Sequence, residues 1–332
     1  MNRGANGNDW IERLNALGAD RQRSFLLVDF ETEKVRLWGA EELAASEELK
    51  FEFSTGLRPS NYHYPGDLLC GARYTEEASY RRAFEIVQAG LRRGDSFLTN
   101  LTFPTEVELS ASLSDIYASA AAPYRILLKD EFVCFSPETF VRIDRVGKIS
   151  SNPMKGTAED SESGRHHLMT SQKEIAEHAT IVDLIRNDLS QVARRVRVSN
   201  YRYLERIETP RGGLLQTSSK IEGQLSPDWR SQLGNIIARL LPAGSISGAP
   251  KPATLDIIRA AEGRKRGYYC GIGLYFDGEA VDSCVLIRFI SQEKGLYYFW
   301  AGGGITARSK WAEEYAELKA KVRIPLFRTG NG

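Results

Sequence analysis

The chain has 332 residues, 42% of them hydrophobic and 26% charged, and its 44 basic and 43 acidic residues leave a formal net charge of +1. That is ordinary globular composition with length for a large core. The even balance argues against a nucleic-acid partner, since Arg194-Arg195-Val196-Arg197 and Arg264-Lys265-Arg266 read as solvated faces or loops. Cys70, Cys134, Cys270 and Cys284 form no C-x-x-C pair, which predicts reduced thiols rather than a zinc site or a disulfide framework. No apolar run reaches membrane-spanning length and the first ten residues have no apolar h-region. A soluble, cytoplasmic protein with no membrane partner is expected.

In chain order, residues 1–20 predict a frayed start and a short helix. Ser24–Asp29 and Val35–Trp38 read as two strands. A loop-rich stretch runs to about residue 75 and includes Pro59, His63 and Gly66. Tyr80, Phe84, Val87 and Leu91 set an apolar stripe on a helix over 76–93, ended by Gly94-Asp95. Phe97–Val107 reads as a strand, and Ser112 as the N-cap of a helix to Ala121. Arg125–Lys129, Phe132–Phe135 and Thr139–Ile143 predict three short strands, and Lys148–Ser151 a fourth. The loop Ser151–Thr157 follows, then the longest helical pattern, Thr170–Val196. Ser199–Ile207 and Leu214–Glu222 read as strands around a turn at Pro210–Gly213. Helices are expected at Pro227–Leu241 and Pro252–Glu262, with the glycine-punctuated loop Leu241–Lys251 between them. Tyr268–Phe276, Val281–Ile290 and Tyr297–Ala301 predict strands, the first two joined by an Asp277-Gly278 hairpin turn. Gly302-Gly303-Gly304 reads as a loop before a last helix, Lys310–Val322. Many strands, several long helices and little βαβ alternation predict an α+β fold with large, mainly antiparallel sheets, organised as one large domain.

Several segments can carry chemistry. Pro153 and Gly156 frame Lys155 in a tight turn, and a lysine held so can act as nucleophile or base once desolvated. The alternative is a solvated surface turn. Glu174 and Glu177 sit at i, i+3 on one helix, with Ile181 and Leu184 continuing the face. Glu314 and Glu317 repeat the device on the last helix, with Lys321 four residues on. Two such pairs can give a divalent cation hard oxygen ligands, or can simply be solvated faces. The loops Gly244–Lys251 and Gly302–Gly304 can offer backbone amides to an anionic oxygen, although neither fits a nucleotide-binding pattern. Arg288 can clamp a carboxylate from the strand Val285–Phe289. Glu138 precedes Lys155 by 17 residues, and a hairpin-like return can bring the two together.

Seven segments in order, Phe135–Phe140, Pro153–Thr157, Glu174–Asp188, Pro242–Lys251, Gly267–Gly273, Asp282–Arg288 and Ala301–Lys321, together resemble the chorismate-utilising enzymes. That group comprises component I of anthranilate and aminodeoxychorismate synthases and the isochorismate and salicylate synthases. The resemblance spans about residues 95–322, with a reduced N-terminal portion over 1–95, and implies two large antiparallel sheets flanked by helices. It implies Glu177 and Glu317 as Mg²⁺ ligands, with Glu174 and Glu314 in support. It implies Glu138 as general acid for a departing hydroxyl. Gly156, Thr157, Ser247, Tyr269, Arg288, Gly302, Gly303, Gly304 and Lys321 are implied as substrate contacts. Three positions sort the branch. Lysine at 155, where the anthranilate, isochorismate and salicylate enzymes usually have alanine, is similar to aminodeoxychorismate synthase component I. Leu98 stands where the water-adding enzymes carry a lysine base. The L-L-E-S signature of tryptophan-inhibited anthranilate synthases is absent. Gln216 stands where many relatives have histidine, and its carboxamide can donate a hydrogen bond but cannot titrate. The expected reaction is amination of chorismate at C4 through a covalent Lys155 intermediate, with ammonia from a separate glutamine amidotransferase subunit. An anthranilate synthase component I, or a non-catalytic chorismate-binding subunit, are the alternatives.

Overall fold

The computed structural model describes residues 9–53, 67–209 and 212–326. Its first elements are α1 (Asp9–Ala19), β1 (Ser24–Val28), β2 (Val35–Trp38), α2 (Ala40–Ala45), β3 (Leu49–Phe53), β4 (Leu69–Arg73), α3 (Glu77–Arg93), β5 (Leu98–Leu109) and α4 (Leu113–Ser119). There follow β6 (Tyr124–Leu128), β7 (Phe132–Ser136), β8 (Thr139–Ile143), β9 (Lys148–Ser151), β10 (Met154–Glu159), α5 (Glu162–Thr170), α6 (Gln172–Ser190), β11 (Arg194–Thr209) and β12 (Gly212–Gln224). The chain continues through α7 (Leu233–Leu240), α8 (Gly244–Ser247), β13 (Gly248–Ala249), α9 (Lys251–Glu262), β14 (Ile272–Phe276), β15 (Val281–Val285), β16 (Phe289–Glu293), β17 (Leu296–Ile305) and α10 (Trp311–Ala320).

The strands form two antiparallel sheets. One runs β10-β12-β9-β8-β15-β14-β1-β2, with β11 also on β12; the other runs β13-β5-β17-β16-β7-β6-β3, with β4 also on β5. This is the α+β class that the strand count predicts. Strand periodicity explains how one sheet serves two cores. In β7, Phe132 and Cys134 enter the larger core, which includes β1, β14 and α6. Val133 and Phe135, on the opposite face, enter a second core with α3, α4 and α10. A strand buried on both faces reads as a continuous apolar run, as β7 does. The stripe Tyr80, Phe84, Val87 and Leu91 packs α3 into the second core, as its spacing predicts. Ser112 caps α4 by accepting from the Asp115 amide. Cys134, Cys270 and Cys284 are buried and Cys70 is exposed, all as free thiols. Among the described residues no helix is long and apolar enough to cross a membrane.

Several expectations are corrected. Gly302–Gly304 is not a loop but the end of β17, paired with Thr102, Leu101 and Asn100 of β5. A Cβ on Gly302 would lie 2.6 Å from Thr102 Cγ2, so the glycine marks a crowded cross-strand contact rather than a break. Val281–Ile290 divides into β15 and β16, which belong to different sheets. Arg288 stands in the bend between them at a φ of 53°, not within a strand. The segment at 267–270 is a turn, and β14 begins only at Ile272. The lysine loop shrinks to Asn152-Pro153, between β9 and β10. The helix expected at Thr170–Val196 is α6, and Ser171 separates it from α5 by ending one and capping the other. A 3-10 turn, Trp229–Gln232, opens the helix expected at Pro227. Pro59, His63 and Gly66, and Pro210 and Arg211 of the expected turn, lie outside the described residues.

Candidate active site

Lys155 lies on β10, directly across from Thr217 of β12. The pairing slips between Lys155 and Thr157, and Gly156 takes a φ of 78° at that bulge. A Cβ on Gly156 would lie 2.5 Å from Glu174 Oε2, so the glycine also lets α6 approach the lysine strand. The half-buried Lys155 reaches towards the other sheet. A Cβ on Gly304 would stand 3.5 Å from Lys155 Nζ and 3.0 Å from Leu98 Cδ1. The amine of one sheet therefore meets the glycine edge of the other, with a leucine beside it.

Glu138 follows β7 in the turn Ser136-Pro137-Glu138, where its amide donates to Ser136 Oγ. Ser245 Oγ donates to Glu138 Oε1 at 2.5 Å. Burial pushes the Glu138 carboxyl above the usual range, against the pull of the Ser245 hydrogen bond and the Lys155 charge. Glu138 and Lys155 thus share one electrostatic environment, although β8, which follows Glu138, does not pair with β10. A carboxyl biased towards its protonated form beside an amine is suited to donating a proton to a leaving group.

Lys321 and Arg288 line the glycine edge. Lys321 Nζ donates to the Gly302 carbonyl at 2.7 Å and pairs with Glu317 Oε1 at 2.7 Å. Burial lowers its pKa, opposed by Glu317 and reinforced by Lys155 and Arg288. Arg288 Nη1 donates to the Lys321 carbonyl at 3.0 Å; burial, then Arg323, lowers its pKa. β16 pairs with β17 only as far as Trp300, so the next residues of β17 run on beside β5 without β16. Lys155 and Arg288, each within electrostatic reach of Lys321, form with it an anion-receptive wall at the strand edge.

The other expected contacts separate. Tyr269 is 4% exposed and stacks on Trp300 with centroids 5.4 Å apart, so its ring belongs to the core. Ser247 is fully buried and donates to the Ala243 carbonyl at 2.9 Å, which turns it inward. Thr157 is exposed beyond the bulge. Lys251 pairs with Asp188 at 2.9 Å and ties its loop to α6. Gln216 lies opposite Thr157 and Glu205 in the sheet. His178 is buried, with Nε2 2.7 Å from Ser219 Oγ, and burial lowers its pKa to about 4.

The four glutamates divide between helices. Glu174 of α6 approaches Gly156, and a Cβ on Gly303 would lie 3.4 Å from Glu314 Oε2 of α10. Among the described residues no three His, Cys, Asp or Glu side chains gather to cage a metal ion. The donor type that Glu174, Glu177, Glu314 and Glu317 offer, carboxylate oxygen, is the one that Mg²⁺ takes one or two at a time.

A profile of the chorismate binding enzyme family matches residues 22–327. The chain belongs to that family. An uncharacterized PabA-like protein of Haemophilus influenzae is 45% identical over 318 residues, 96% of each chain. Aminodeoxychorismate synthase component 1 of Bacillus subtilis is 30% identical over 76% of this chain and 55% of its own. Anthranilate synthase component 1 of Acetivibrio thermocellus is 34% identical over 71% of this chain and 50% of its own. The crystal structure of anthranilate synthase component I from Streptococcus pneumoniae superimposes with a TM-score of 0.64 at 27% identity, over 77% of this chain and 59% of that one. The menaquinone-specific isochorismate synthase of Escherichia coli shares the fold, with a TM-score of 0.69 at 18% identity over 93% of this chain and 79% of that one.

In this chorismate-binding enzyme the structure brings Lys155, Glu138, Arg288, Lys321 and the glycine edge together. It adds Ser245, which sequence reasoning passed over in favour of Ser247. The signal was present in Gly244-Ser245-Ile246-Ser247, because a helical turn sends residues two apart to different sides.

Proposed function

We propose that the protein is an aminodeoxychorismate synthase component I, which converts chorismate and ammonia to 4-amino-4-deoxychorismate. The observation that carries the reading is the placement of the Lys155 amine against Gly304, within the field of Glu138. The amine's lone pair attacks C2, the ring double bonds shift, and the C4–O bond breaks. Glu138 gives the departing oxygen its proton, so water leaves, and takes up in turn the proton that the Lys155 nitrogen sheds on forming the C2–N bond. Ammonia then forms the C4–N bond as the C2–N bond to Lys155 breaks. Splitting one displacement into two is the advantage of a covalent route. Arg288, Lys321 and the Gly302–Gly304 edge hold the substrate's carboxylates. Leu98 offers no base to water, which supports amination over hydroxylation.

Glu177 and Glu317 would hold Mg²⁺, with Glu174 and Glu314 in support, and the bound ion would neutralise the ring carboxylate. A separate glutamine amidotransferase subunit would supply the ammonia. The reading agrees with the name of the Bacillus subtilis relative. Incubation with chorismate, Mg²⁺ and an ammonium salt, followed by chromatography and mass analysis, tests it. The expected product retains the enolpyruvyl group. Fluorescent anthranilate would place the chain with its anthranilate synthase relatives, and absence of turnover would favour a non-catalytic chorismate-binding subunit.

A further inference from the structure

Asn100 lies on β5 directly opposite Gly304 of β17. Residues opposed across an antiparallel pair project to the same side, and so does Leu98, two residues back along the strand. That is the side on which Lys155 Nζ and Leu98 Cδ1 approach Gly304. Among the described residues Asn100 Oδ1 is buried there and accepts no hydrogen bond, whereas the backbone oxygen of the same residue accepts from Arg266 Nη2. Thr217 Oγ1, on β12 opposite Lys155, is also buried without a partner among the described residues. Unmet buried acceptors are costly and uncommon. Two of them, one from each sheet and both beside one lysine, mark space that a polar ligand completes.

We infer that Asn100 Oδ1 receives an N–H of the attacking ammonia and so aims its lone pair at the ring. The inference rests on the amination proposed above. Ammonia has three N–H bonds and one lone pair, so an acceptor behind it leaves the lone pair facing C4. Leu98, on the same strand face, offers no such acceptor. As the C4–N bond forms and the C2–N bond to Lys155 breaks, one proton of the new ammonium group passes to the departing lysine nitrogen. Both nitrogens end neutral, and no further reactant is required. The carboxamide acts in this second displacement and not in the first.

Two measurements on the full chain separate these steps. Intact-mass analysis with chorismate and no ammonium reads formation of the Lys155 adduct, which carries chorismate less one water. Steady-state amination across an ammonium titration reads the second displacement. Asn100→Ala is expected to form the adduct at the wild-type rate and to keep the chorismate KM, while its ammonium KM rises about tenfold or more. Asn100→Asp, which keeps an acceptor in place, is expected to stay close to the wild-type ammonium KM. An unchanged ammonium KM in Asn100→Ala overturns the inference. So does an equal loss in adduct formation, which would assign the carboxamide to the lysine or to the fold. If the wild type aminates chorismate and only these variant results fail, the inference alone falls. A wild type that yields no aminated product removes the proposed function and the inference together.

Discussion

The Glu262–Arg266 pair and the surroundings of Lys155 both bury charge, and they treat it in opposite ways. The Glu262–Arg266 pair lies against β5, between the short strands β13 and β4, with each side chain 1% exposed. Every group there is matched. Glu262 accepts from Arg266 and from the Thr102 amide at 2.9 Å, and Arg266 also donates to the carbonyls of Ile246 and Asn100. The side chains stand where β5 has no strand partner among the described residues. Around Lys155, by contrast, Asn100 Oδ1 and Thr217 Oγ1 are unmet among the described residues and Glu138 carries a raised pKa. Complete matching of a buried pair serves the fold; incomplete matching leaves room for a substrate.

Substitutions can break this contrast. Lys155→Ala should lower C4 amination by about 10³-fold or more. It should leave the melting temperature nearly unchanged, since few groups depend on this side chain; a large drop in stability would make Lys155 structural. Glu262→Ala should do the reverse and cost about 3–5 kcal/mol in chemical denaturation, because it strands the Arg266 charge. Glu138→Gln should reduce turnover about 10²-fold or more and remove the high-pH limb of the rate profile. The sign follows from the raised pKa: the useful protonated form persists below the folded pKa and is lost as pH rises through it.

The smallest effect concerns His178, whose pKa falls from 6.5 to about 4. Its buried neutral form contributes stability that is fully present above the unfolded pKa and is lost as pH falls from about 6.5 through about 4. Urea midpoints across that window should decline in the wild type and decline less in His178→Gln. Equal slopes would show that the imidazole is not the titrating group.

Much of this arrangement is legible in the sequence because local pattern and tertiary role coincide. The stripe of α3, the Ser112 cap and the Asp277-Gly278 turn each follow from neighbours in sequence. Lys155 and the glutamate pairs are legible as motifs. What escapes is set by distant strands. Gly302–Gly304 looks like a loop because glycine lacks strand propensity, yet pairing with β5 overrides propensity. Arg288 looks like a strand residue because apolar runs flank it, yet the chain changes sheet there. Ser245 acquires its role only from Glu138, more than 100 positions away.

The change of sheet at Leu286–Arg288 has a consequence for assembly. Lys155 belongs to one sheet, Gly304 to the other, and Arg288 to the strap that joins them. No half of the molecule contains a rudimentary version of this cleft. Catalytic competence should therefore appear during refolding only when the sheets dock, later than strand formation itself. A single turnover assay then serves as a clock for that docking event.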